Sequence, residues 1–111
     1  MLLNVSDRLI LLNVLSNMGG NLVTLRIVRD LQREVGFSEE ESSVLAFKQD
    51  DQKLFWNDTV VGEREFAVGP TAVGLVLVAF KKLEEKEELT MQHLPLYEKC
   101  LVSVEEAKVK Q

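Results

Sequence analysis

The 111 residues predict an α+β fold in the order α-α-β-β-(β)-α-α, a small antiparallel sheet packed with helices. Three observations carry that reading. Apolar residues recur at helical spacing up to residue 35 and again after residue 71. Between residues 44 and 68 the pattern becomes strand-like. Gly19-Gly20, Gly36 and Gly69-Pro70 stand where one pattern gives way to the next. A composition of 46% hydrophobic and 28% charged residues suits one globular core at this length and leaves no material for a second.

Leu9, Ile10, Leu11, Leu12, Val14 and Leu15 mark the first helix, with Ser6 or Asp7 as its cap and Gly19-Gly20 as its stop. So dense an apolar run predicts burial on more than one side, by the rest of the fold or by a second subunit. The second helix, residues 21–35, sets Leu25, Val28, Leu31 and Val35 on one face and Arg26, Arg29 and Arg33 on the other. Gly36 occupies the place of a left-handed closing residue. Ser38-Glu39-Glu40-Glu41 reads as a capping box that opens a short helical turn.

Residues 44–48 and 53–57 flank the polar stretch Gln49-Asp50-Asp51-Gln52 and predict a hairpin, and residues 63–68 a third short strand with one wet side. Residues 72–88 form the next helix, with Pro70 in its first turn, an apolar buried half and a charged solvated half. Lys82 and Lys86 repel at i, i+4 in that run, which is assigned no specific role. A last helix starts at Thr90, with Leu89 and Leu94 as a staple, or becomes regular only at Pro95, and ends near Leu101. The domain therefore spans residues 1–101, and residues 102–111 are a frayed or partner-dependent tail.

Subtraction narrows the function. A net charge of -5 gives no global basic footprint for nucleic acid and argues against an anionic membrane surface. The longest apolar run, residues 75–80, falls well short of a bilayer span, and the first residues lack a basic secretory start, so a cytoplasmic protein is expected. One Cys and one His exclude a disulfide framework, a cysteine-rich zinc site and a paired-histidine metal motif. No cofactor is expected, because Gly19-Gly20 has no Lys-Ser or Lys-Thr behind it to cradle a phosphate. His93 and Cys100 on one helix would sit about 10 Å apart, beyond the reach of a thiolate–imidazole pair. The carboxylates lie in hydrophilic runs where solvent equalises them. No catalytic residue is nominated.

The candidate binding residues are Arg26, Arg29, Arg33 and Trp56. Residues 1–37 carry four arginines against three acids, whereas the remainder carries nine bases against fifteen acids. Two helices, a glycine turn and a hairpin also outline a winged helix-turn-helix, which makes a DNA-binding regulator the alternative. Against it, Asp30 stands i+4 from Arg26 and i−3 from Arg33, Asp50-Asp51 would meet DNA at the wing, and base-reading side chains are limited to Gln32 and Asn21. An acidic protein or an anionic small molecule suits the stripe better. In the sheet, Phe55 and Trp56 must point to opposite faces, so one is directed away from the main core unless both faces are covered.

Leu3-Asn4-Val5-Ser6-Asp7-Arg8-Leu9, Thr24-Leu25-Arg26-Ile27-Val28-Arg29 through Gly36-Phe37-Ser38-Glu39-Glu40, and Leu94-Pro95-Leu96-Tyr97-Glu98-Lys99 resemble short uncharacterised proteins of bacteriophages and prophages. The resemblance covers most of the chain. It implies a small accessory protein made in the cytoplasm of an infected bacterium, and carries over no activity, cofactor or site residue. The combined expectation is a non-enzymatic homo-oligomer that inhibits a host factor or sequesters a signal molecule. Its partner-covered residues are expected among 9–15, 73–80 and Trp56.

Overall fold

Asn4, rather than Ser6 or Asp7, opens the first helix. In the computed structural model, which describes residues 1–50, 53–56 and 62–109 (side chains 50, 53 and 105–109 excepted), α1 spans Val5–Ser16. The Asn4 side chain accepts the Asp7 N–H at 2.8 Å and the Asp7 carboxylate accepts the Asn4 N–H at 3.2 Å. This reciprocal box satisfies two N–H groups together, which a lone cap at Ser6 or Asp7 would not.

Helix α2, Leu22–Val35, is capped by Asn21 and buries Val28, Leu31 and Val35. Leu25, expected on that face, is 43% exposed. Gly36 is not left-handed: at φ −66° and ψ 163° it is extended and leads directly to Ser38, the N-cap of α3. Glycine is required there by a close approach, since a Cβ would stand 2.8 Å from the Gln32 carbonyl oxygen. Gly36→Ala is therefore expected to destabilise the protein by about 1–3 kcal/mol, the usual cost of forcing an extra methyl into packed structure. Urea unfolding would show it as a lowered midpoint with an unchanged slope.

The capping box at Ser38 and Glu41 forms as expected, and α3 then runs Glu39–Leu45, taking Val44 and Leu45 from the predicted strand. A left-handed residue closes the next helix instead: Ala46, at φ 50°, ends α3. A shortened hairpin follows, β2 Lys48–Asp50 and β3 Lys53–Phe55, in the antiparallel register Lys48↔Phe55, Gln49↔Leu54 and Asp50↔Lys53. Residues 51, 52 and 57 of the predicted turn and strand lie outside the described residues.

The third strand, β4 Arg64–Glu65, does not join the hairpin. It pairs with β1, Leu2–Leu3, in the register Leu2↔Glu65 and Leu3↔Arg64. A two-residue strand has no period to detect, so β1 leaves no trace in the pattern. The fold is α+β, with separate two-stranded ladders in place of one sheet.

Helix α4, Pro70–Glu85, carries Pro70 in its first turn, where no N–H partner is lost. Helix α5, Leu94–Val109, has Pro95 as its second residue and continues well past Leu101. Good helix formers sustain it (Glu105, Glu106, Ala107 and Lys108), although they supply little apolar period. The core gathers Leu11, Val14 and Leu15 of α1, the buried face of α2, Val73, Val76 and Phe80 of α4, and Leu96 and Cys100 of α5. The chain's own helices thus cover most of residues 9–15. Among the described residues, no helix is long and apolar enough to cross a membrane.

Candidate binding surfaces

Leu22, Leu25, Arg26, Arg29 and Arg33 fall at i, i+3, i+4, i+7 and i+11 of α2, within an arc of about 100°. All five are exposed, opposite the face buried against the core. The structure therefore brings the three predicted arginines together and adds two leucines to their stripe. Asp30 does not neutralise Arg26 or Arg33. Its carboxylate lies 3.6 Å from Nε of Arg29, an exposed pair of little energetic weight.

Trp56 is placed apart from that stripe in an aromatic chain. Its ring lies 6.3 Å from Phe47, which meets Phe37 edge-on at 5.2 Å. Of the alternating pair, Phe55 is the outward residue, 54% exposed, while Trp56 is half-buried. Phe47 packs against the indole, which leaves Phe55 the more exposed of the two side chains.

The aromatic chain ends on Arg8, which the sequence presents only as one more N-terminal cation. Its side chain is 1% exposed and its guanidinium lies 4.0 Å over the Phe37 ring. Nε donates to the Val35 carbonyl at 2.9 Å, Nη2 to the Gly36 carbonyl at 2.7 Å, and both terminal nitrogens to the Glu41 carboxylate. One side chain thus satisfies the C-terminal carbonyls of α2 and anchors the first turn of α3. The hydrogen bond from Arg8 holds the Glu41 carboxyl down at about 2, against an opposing burial penalty. The only available hint is the cation's position beside the apolar run of the first helix.

The second ion cluster also joins distant elements. Lys99 donates to Asp7 at 2.6 Å, to Glu63 at 3.1 Å and to the Leu2 carbonyl at 2.9 Å. Burial pulls the Lys99 pKa down, but hydrogen bonds to Asp7 and Glu63 outweigh it and leave it raised.

Among the described residues no hydrogen bond joins His93 to Cys100. Cys100 is buried in the core, where desolvation first, and the Asp7 charge second, push its thiol up to about 11. Nδ1 of His93 accepts the Thr90 N–H at 3.0 Å, which leaves Nε2 as the ring's proton-bearing nitrogen. Among the described residues, no group of three His, Cys, Asp or Glu side chains is placed to hold a metal.

A cavity of about 730 Å³ opens between the α1–α2 turn and α4. Val14, Met18, Leu75, Val78, Ala79 and Leu83 make its apolar lining. Its polar lining includes Asn17, Asn21, Thr24, Lys82, Lys86 and His93. None of the four residues nominated from the sequence borders it.

No protein-family model, curated protein or solved structure matches the chain.

The winged-helix outline meets a specific obstacle. A further helix, α3, stands between α2 and the hairpin, so α3 holds the position a recognition helix would take before a wing. Its first turn is Glu39, Glu40 and Glu41. Carboxylates there would face phosphates at close range, whereas the arginines belong to the preceding helix.

Proposed function

We propose that the protein acts by stoichiometric binding without catalysis, as a phage- or prophage-type accessory protein in the bacterial cytoplasm. Its outer α2 face engages an acidic protein surface, and the chain self-associates. The observation that carries this reading is the stripe of Leu22 and Leu25 framed by Arg26, Arg29 and Arg33, all exposed. Arginine beside exposed apolar side chains is the composition enriched at protein interfaces. A carboxylate-rich partner would pair with Arg26 and Arg33, neither of which is in an ion pair among the described residues. Engagement of that kind fits inhibition of a host factor or sequestration of a signal molecule.

The test is a charge reversal. Arg26→Glu/Arg29→Glu/Arg33→Glu should keep its circular dichroism and weaken capture of the wild-type's bacterial partner by about tenfold or more. Undiminished capture of that partner would refute the assignment to α2. Light scattering at tens of micromolar should show a multimer, and a strict monomer would remove self-association.

The second reading, a DNA-binding regulator, draws support from the same three arginines. A duplex shift that weakens steeply with salt and vanishes in the triple variant would put it in place of the first.

A further inference from the structure

The geometry points to the cavity between the α1–α2 turn and α4 as a binding site for a small amphipathic anion, one with a single anionic headgroup and an apolar body. This goes beyond the proposed protein contact and does not depend on it, because none of Arg26, Arg29 and Arg33 lines the cavity.

Size comes first. At about 730 Å³ the space falls within the range of ordinary small-molecule sites. Its wall is apolar where α4 faces α1: Leu75, Val78 and Ala79 across from Val14. Val78 is half exposed, while its helix neighbours Val76 and Phe80 are buried. An apolar ligand body seated there would remove it from water.

The charges lie at one edge. Lys82, in the last turn of α4, and Lys86, its C-cap, both line the cavity, and neither is within ion-pairing distance of a carboxylate among the described residues. Two ammonium groups at i, i+4 repel each other, and the attraction of both to an anion between them offsets that repulsion. Helix α2 begins at the same rim. Asn21 takes up the Thr24 and Leu25 N–H groups, and the positive end of the α2 dipole adds to the lysine field, while the C-terminal end of α4 opposes it in part. His93, whose Nδ1 accepts the Thr90 N–H, contributes Nε2–H as a further donor. One carboxylate, Glu88, also lines the site, so the ammonium groups outnumber it by two to one.

The two ammonium groups favour an anion over a cation, and the apolar wall favours a ligand with an apolar body. A fatty carboxylate and an alkyl phosphate share the required chemistry, and separate probes distinguish them.

Octanoate, octyl phosphate, octanol and octylammonium should be titrated separately by calorimetry into the full chain. Saturable one-to-one binding is expected for at least one of the two anions and not for octylammonium, with octanol at least tenfold weaker. Lys82→Gln/Lys86→Gln, which changes only exposed side chains, should weaken anion binding by about tenfold or more. Val78→Trp, also at an exposed position, should block it by filling the space while leaving the circular dichroism unchanged. Absence of saturable anion binding, equal binding of octylammonium, or affinity indifferent to the lysines would overturn the assignment.

Discussion

An Arg8→Ala protein is expected to lose about 3–5 kcal/mol of folding stability, the cost of removing one partner from a buried ion pair. The substitution strands the Val35 and Gly36 carbonyls, leaves the Glu41 carboxylate with only the Ser38 N–H and Arg64 at 3.6 Å, and takes the cation from above Phe37. Arg8→Lys should recover only part of the loss, since an ammonium cannot span two carbonyls and a carboxylate in one plane. Urea unfolding at pH 7 measures both.

The same cluster fixes a pH dependence. The folded Glu41 carboxyl sits at about 2, below its usual 4.5, chiefly through the Arg8 hydrogen bond. A depressed carboxylate stabilises the fold fully above its unfolded pKa and progressively less as pH falls through the folded one. The wild-type midpoint should therefore drop between pH 4.5 and 2. In Glu41→Gln that part of the slope should vanish, and an unchanged slope would show that other carboxylates govern acid unfolding.

The second large effect is expected at Phe80. Its side chain is fully buried, stacked on Tyr97 with ring centroids 4.9 Å apart, and meets His93 edge-on at 6.0 Å. Phe80→Ala should cost about 3–5 kcal/mol through lost transfer energy and the void left behind. Phe80→Leu should cost less, because most of the volume remains. The Tyr97 pKa, raised by desolvation first and by its hydrogen bond to Glu84 second, should move toward its ordinary value in Phe80→Ala. An ultraviolet pH titration reads that shift separately from stability. A loss near 1 kcal/mol with Tyr97 unmoved would mean that the α4–α5 seam collapses around the gap.

Helix α2 was legible because its signals are local and redundant: Asn21 caps it, an apolar face repeats along it, and a glycine ends it. The α3 capping box was legible for the same reason. The α1 cap was displaced because Asn4 and Asp7 must be read as a pair, whereas Ser6 and Asp7 look adequate singly. The strand expected over residues 44–48 fails at Val44 and Leu45, where the β-branching of the first and the apolar character of both lose to a helix capped at Ser38. For the binding surfaces, the arginine stripe follows from helical spacing alone. The cavity lysines could be seen only as a repelling pair, since no periodicity indicates what lies across from them.

Local chemistry determined by itself where most helices begin, which side of α2 is wet and where the hairpin lies, because caps, turns and periods act within a few residues. Tertiary structure alone decided that β4 pairs with β1, that Arg8 is buried, and that Lys82 and Lys86 border a cavity. Those outcomes join residues tens of positions apart, and a hydrogen bond or a cleft between distant segments exists only once the packed helices bring them together.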